Sequence, residues 1–426
     1  MHPKEGWRGG RPPIPGVSRR AFLRRGAGAG AALLGAAGAG SLLSACSGAL
    51  ATGTLGKPLP LPRPDNPVTW PIYADNRPIK SGLLPERDAT LKIYNWVAYV
   101  NPQSLDDFGK KYNCKVEVTT FNTMTEALAK LSSGQVSFDV FMGVTADVIG
   151  KVVAEKIIQP LNHSYIPNIS QTWRQYTNPF YDQHWQYTVP YTIYTTGISW
   201  RKDYISDSPA SWANGYEFPW QGKYSGKVAI LDDYRESPSL ALMKSGIYDL
   251  NTTSRAQLAT ARDALLELAR MTDVHIDNND YTEIPSGQMW IHHAWSGDMA
   301  AAGEYMPKGV PVDVVGYWFP ADGRGPVAND TNTILRGAQN PVLAHLFLNY
   351  LEDLPNALTN ISYNGYMQPV YGVTEDRLVR DGILPKALTS TVVHEENLKH
   401  GLWELQLPVE ADLAWQEVWQ LISLGI

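Results

Sequence analysis

From Leu91 onward the chain alternates two hydrophobic periods, and that alternation restricts the folds open to it. Leu91-Lys92-Ile93-Tyr94-Asn95-Trp96 reads as a strand with one buried face, and Asn101-Pro102 signals the turn into a helix over 104–112. The pattern repeats as a strand over 115–121, a helix over 124–131, a strand over 138–144 and a helix over 146–155. Strands separated by helices of this length build βαβ units around a parallel sheet. A Tyr- and Thr-rich run over 185–200 predicts a crossover between two lobes.

A second α/β series follows. It comprises a strand over 227–231, a helix over 238–248, and a longer helix that the Ser254/Gln257 pair opens as a capping box. Leu258, Ala261, Leu265 and Leu268 give that helix its apolar face. Strand signals recur over 289–291 and 312–315, and a last helix over 410–421 carries Trp415, Val418, Trp419 and Ile422 as a packing stripe. Roughly 340 residues lie beyond the leader and linker, enough for two lobes rather than one.

The first 45 residues read as a removable leader. Ser18-Arg19-Arg20-Ala21-Phe22-Leu23 resembles the twin-arginine export signal, and a Gly/Ala-rich run over 26–40 follows it. Leu43-Ser44-Ala45-Cys46 resembles the bacterial lipobox, which makes Cys46 the expected point of lipid attachment and tethers the protein to the outer face of a membrane. Residues 46–88 then read as a Pro/Gly-rich linker, of which the aromatic part over 68–73 is expected to pack on the folded body.

The full chain has 36 Lys/Arg and 42 Asp/Glu; the leader takes seven of the former and one of the latter, leaving 29 and 41, a net charge of −12. An acidic mature chain argues against nucleic acid and favours a cationic ligand. With Cys46 lipidated, Cys114 has no disulfide partner and is expected to be a buried, inert thiol.

Catalytic signatures are missing. There is no Gly-x-Ser-x-Gly elbow, no Walker-A loop and no Gly-x-Gly-x-x-Gly turn. His394 and His400 lie six apart, off the spacing of a helical zinc pair, and His292-His293 sit in a strand where neighbours face opposite sides. Neither pair reads as a metal site, and no cofactor is expected. The chain does place aromatics and acids at strand ends. Trp96 and Tyr99 close the first strand, Asp233 and Glu236 follow another, Trp295 closes a third, and Asp330 lies in Val327-Ala328-Asn329-Asp330-Thr331. Separated carboxylates with aromatic walls suit an extended cation, whose methylenes lie on ring faces and whose ammonium groups gain cation–π attraction and charge-assisted hydrogen bonds. Taken alone, Asp233 and Glu236 could equally cap the helix after them.

These residues together resemble the spermidine/putrescine-binding proteins, the extracytoplasmic solute-binding subunits of polyamine ABC importers. The resemblance runs from about Leu91 to the C-terminus and rests on Tyr94-Asn95-Trp96-x-x-Tyr99, Phe138-Asp139-Val140, Asp232-Asp233-x-Arg235-Glu236, Trp295-x-Gly297 and Asn364-Gly365-Tyr366. It implies an α/β, two-lobed periplasmic-binding-protein fold (type II), each lobe a mixed sheet flanked by helices with the ligand cleft between. The implied N-lobe is 89–198 plus 330–375 and the C-lobe 199–329 plus 376–426. Trp96, Tyr99, Trp295 and Tyr366 would wall the site, Asp233, Glu236 and Asp330 would accept amines, and Thr145 would line the N-lobe side. The implied protein is a monomer that performs no chemistry and passes a polyamine to an ABC permease.

Three positions depart from the family pattern: Ala98 replaces an acid, and Ala146 and Ala328 replace aromatics, whereas Glu404 adds an acid where a Gln is usual. A bulkier small organic solute is therefore the first alternative. An exported hydrolase and a ferric-ion binder using Tyr363 and Tyr366 are the others.

Overall fold

A computed structural model describes residues 60–134 and 136–424. The export signal, Cys46 and the linker up to residue 59 lie outside the described residues.

The first series contains β1 (Thr90–Trp96), α1 (Pro102–Tyr112), β2 (Lys115–Phe121), α2 (Met124–Ser132), β3 (Val140–Thr145), α3 (Ile149–Ala154) and the short β4 (Ile158–Gln159). Local signals set the bounds of these elements. Asn101 caps α1 by accepting from the Gln103 amide, Pro102 occupies the first turn, and Asn113 ends the helix in the left-handed region at φ 49°.

The chain then runs into β5 (Thr188–Arg201), whose 14 residues are all buried. The second series follows with β6 (Val228–Ile230), α4 (Glu236–Lys244), α5 (Arg255–Thr272), β7 (His275–Ile276), α6 (Asp280–Ser286), β8 (Ile291–Trp295), α7 (Ser296–Ala300) and β9 (Val315–Trp318). Residues 312–314 form a 3-10 turn rather than the expected strand, because Pro311 leads the chain into a turn and pairing starts only at Val315. At α5, Ser254 accepts from the Gln257 amide at 3.4 Å, but the Gln257 side chain turns to the Thr252 hydroxyl, so only half of the expected box forms.

The long β10 (Pro326–Leu335) returns beside β5. After it come α8 (Pro341–Leu351), α9 (Leu354–Asn364), α10 (Glu375–Arg380), α11 (Glu395–His400), β11 (Leu402–Trp403) and α12 (Val409–Ser423). Strand order is β2-β1-β3-β10-β5-β8-β6-β7, with β4 and β11 beside β10 and β9 beside β5. Residues 188–195 of β5 pair antiparallel with β10, whereas 196–201 pair with β8 and β9. One strand therefore serves both halves of the molecule. The parallel pairs β1–β2, β1–β3, β6–β7 and β6–β8 lie out on the two wings.

Each half has its own apolar core. Leu91, Ile93, Phe108, Val140 and Phe347 pack in the first, and Ile230, Leu258, Leu265 and Trp415 in the second. The expected stripe on α12 is buried against the second core. The end of the linker docks as expected: Val68 and Trp70 are buried, and the Trp70 indole donates to the Tyr181 carbonyl at 2.7 Å. Cys114 is half-buried rather than buried, and burial raises its thiol pKa. Among the described residues no helix is long and apolar enough to cross a membrane.

Candidate functional site

Where the two halves meet, a cavity of about 250 Å³ opens at the carboxyl ends of β1, β3, β7 and β8. Strand ends gather at such a crevice because the chain must leave the sheet there through loops, which are free to carry polar groups. The walls are seven aromatics, Trp96, Tyr99, Phe121, Tyr194, Tyr281, Trp295 and Tyr366. Four carboxylates share that surface, Asp232, Asp277, Asp298 and Asp330, and no Lys, Arg or His lines it.

The aromatic walls are fixed from behind. The Trp96 indole donates to the Gly143 carbonyl at 2.9 Å, and Gly143 sits at φ +70° where an added Cβ would lie 2.3 Å from the indole. Tyr366 packs edge-on against Tyr99 and Tyr194, with ring centroids 5.0 and 5.6 Å apart. Gly297 leaves room for the Tyr366 ring, because a Cβ there would approach it to 2.3 Å. The Trp295 indole donates to Glu236 at 2.8 Å, and the Thr196 hydroxyl donates to the same oxygen at 2.9 Å.

Asp330 stands at a register shift in β10, opposite Thr145 of β3 and Thr192 of β5. The Tyr99 and Tyr194 hydroxyls donate to its two oxygens at 2.6 and 3.3 Å. Burial pushes the Asp330 carboxyl up to about 6, against the pull of those two hydroxyls.

Six of the nine expected ligand residues, Trp96, Tyr99, Thr145, Trp295, Asp330 and Tyr366, line this one cavity. Asp233, Glu236 and Glu404 do not; they form an acidic group, with Glu236 buried and the other two half-buried, joined to the cavity through Trp295. Asp233 caps α4, accepting from the Arg235 and Glu236 amides at 2.7 and 3.1 Å. Burial and the neighbouring Asp233 charge push Glu236 up to about 7, and burial together with Glu236 pushes Glu404 well above the usual range. The Arg235 guanidinium is buried in their midst over the Trp415 ring, and Glu404 accepts from the Ser239 hydroxyl at 3.0 Å.

The three alanines divide. Ala98 lines the cavity at φ +57°, whereas Ala146 is buried outside the lining and Ala328 pairs with Tyr194 on β5. Asp277 carries no signal in the sequence because β7, which it follows, is only two residues long, and Tyr281 enters from the first turn of α6. Asp232 and Asp298 were not among the expected site residues, although Asp232 follows β6 as Asp233 does and Asp298 lies just past β8.

An α/β body whose two halves share one continuous sheet through β5, with a preformed crevice of aromatic and acidic residues where they meet, defines a receptor for a small solute. A profile of the bacterial extracellular solute-binding proteins matches residues 103–384, and the chain belongs to that family. It is a family of binding proteins rather than enzymes. The chain is 29% identical over 266 residues to spermidine/putrescine-binding periplasmic protein 1 of Haemophilus influenzae, covering 62% of this chain and 70% of that one. It is 27% identical over 342 residues to the spermidine/putrescine-binding periplasmic protein of Escherichia coli, covering 79% and 92%. A solved Listeria monocytogenes structure, from a protein assigned to spermidine/putrescine ABC transport, superposes with a TM-score of 0.68 at 22% identity, covering 79% of this chain and 99% of that one. The fold is accordingly the two-lobed periplasmic-binding-protein fold.

Proposed function

We propose that this protein captures a polyamine, putrescine or spermidine, in the crevice between its halves and presents it to an ABC permease. The observation that carries the reading is the composition of the cavity wall, four carboxylates and seven aromatics with no cationic side chain. Such a surface holds ammonium groups by charge-assisted hydrogen bonds and methylenes by ring faces, and it disfavours anions. Asp330, Trp96, Tyr99, Thr145, Trp295 and Tyr366 would contact the solute directly. Asp233, Glu236 and Glu404 would act as a reserve of negative potential behind Trp295. The names of the polyamine-binding relatives support the same ligand class.

The lobes in this reading are 89–198 plus 330–375 and 199–329 plus 376–426, moving about β5 and β10. The exchange of β5 partners between Thr195 and Thr196 supports a hinge there. Closure would be a population shift drawn by contacts that both lobes make only when shut. The mature protein would be held by lipid on Cys46 after twin-arginine export, and would act as a monomer.

Calorimetric titration of the chain from residue 60 onward with putrescine, spermidine, spermine and uncharged analogues tests the reading. Saturable one-to-one binding of an amine, lost in Asp330→Asn, is expected; heat from a neutral solute alone would refute it. Ala98 on the wall, small where an acid is usual, favours as a second reading a bulkier organic cation, which the same panel would reveal.

A further inference from the structure

Asp277, Glu283 and His292 converge beside the cavity from three different elements. Asp277 follows β7, Glu283 lies in α6 and His292 in β8. One donor atom from each lies within 4.8 Å of the other two.

His292 is fully buried, and its Nδ1 stands 2.6 Å from the His293 carbonyl. A carbonyl only accepts, so Nδ1 carries a proton, and in the neutral imidazole the Nε2 lone pair is left for the other side. Nε2 makes no hydrogen bond; its nearest polar neighbour is Asp277 Oδ1 at 3.6 Å, an ion-pair distance when the imidazole is protonated. Glu283 is 5% exposed; one of its oxygens accepts from the Gln288 amide at 2.9 Å, and the other has no partner. Asp277 is oriented by the Asn279 amide, which donates to it at 2.8 Å.

Buried polar atoms in native proteins are satisfied, so two orphans turned toward a carboxylate call for something between them. The His292–Asp277 spacing suits a metal, although the three donor atoms, spread over as much as 4.8 Å, must draw together to share one. Donors about 2.1 Å from a tetrahedral metal are about 3.4 Å apart, close to the 3.6 Å between Nε2 and Oδ1. An imidazole whose far nitrogen is tied to a backbone carbonyl has the second-shell arrangement that orients metal-bound histidines. Two carboxylates balance a divalent charge, and one nitrogen with two oxygens and no thiolate fits a borderline transition metal.

We propose that Asp277, Glu283 and His292 bind a divalent ion of the zinc class, leaving its fourth position to water. Asp277 also lines the solute cavity, so the two sites share that carboxylate; zinc binding is read by the metal itself and does not depend on which solute the cavity takes.

The test uses the mature chain stripped with a chelator, titrated with zinc chloride, and crystals soaked in the same salt. One zinc per chain is expected, with an anomalous peak within bonding distance of the three side chains. His292→Gln and Glu283→Gln should each weaken binding roughly 10-fold or more. His394→Gln, an exposed pair with Glu375, should leave it unchanged. An anomalous peak confined to surface histidines, or stoichiometric binding that both variants keep, would overturn the proposal. So would the absence of binding, which would leave the three as an imidazolium–carboxylate cluster only. The soaked crystal needs no variant, so a misfolded His292→Gln would not spoil the test.

Discussion

The Tyr99 hydroxyl donates to Asp330 at 2.6 Å and ties the loop after β1 to the register shift in β10. The same tyrosine is pinned through its backbone carbonyl, which accepts from the Tyr191 hydroxyl at 2.7 Å and the Asn364 amide at 2.9 Å. The acid thus has its charged form supported by a hydroxyl that cannot swing away. Tyr99→Phe should remove a hydrogen bond to a charged group, costing about 1.5–3 kcal/mol of amine affinity near neutral pH. It should also raise the Asp330 pKa further, which calorimetry from pH 5.5 to 8 would register as an affinity curve displaced to higher pH.

The pH dependence of the unmodified protein has a definite sign. Asp330 at about 6 and Glu236 at about 7 lie above the ordinary carboxylate range, so the empty native state binds more protons than the unfolded chain between about pH 4 and 7. Stability of the empty protein should therefore fall as pH rises through that window. Ammonium binding requires the charged carboxylate, so amine affinity should rise over the same window and level off above about pH 7. Thermal melts with and without putrescine across pH 4.5–8 would show the two curves diverging; parallel curves would contradict the assignment.

Gly297→Ala would drive a Cβ to 2.3 Å from the Tyr366 ring. Overpacking of this kind costs about 1–3 kcal/mol, and here it also displaces a cavity wall. The expected result is a lowered melting temperature together with weakened amine binding. Gly246→Ala, at a glycine with φ +74° and no atom within 4 Å of the added Cβ, should strain its own turn but leave binding intact.

Trp70 lies outside the sheet, yet it is 3% exposed and hydrogen-bonded to Tyr181. Trp70→Ala should destabilise the protein by about 3–5 kcal/mol, measured by urea denaturation, with amine affinity unchanged in the folded fraction. A neutral result would show that the segment only rests on the body.

Most of the architecture was legible in the sequence because strand and helix periods differ and because caps such as Asn101 and Ser254 mark helix starts locally. Pro311 defeated the expected strand over 312–315, since a run of valines carries strand propensity but not the turn imposed upstream. The aromatic walls were legible as residues at strand ends. Asp277, by contrast, enters through pairing of β7 with β6, a contact between residues 46 apart with no local signature. The separation of Asp233, Glu236 and Glu404 from the cavity was likewise hidden, because it depends on which way the Trp295 indole turns. His292 read correctly as a strand residue facing away from its neighbour. Its meeting with Glu283 could not be read, because α6 and β8 are joined by a turn whose path is set by tertiary packing.

The docked segment before β1 fixes where any tether must leave the body. Arg63 donates to the Gln406 carbonyl at 3.0 Å and Asn76 to the Ile158 carbonyl at 2.9 Å, so the last fixed point is near residue 60 and not at Thr90. If Cys46 carries the lipid, at most 14 residues separate it from that point, a span that cannot exceed roughly 50 Å. Under that proposal the receptor would stay in a thin layer above the bilayer, where a permease in the same membrane would meet it at a high local concentration. Lengthening that stretch, without touching the crevice, should slow uptake while leaving solute affinity as it was.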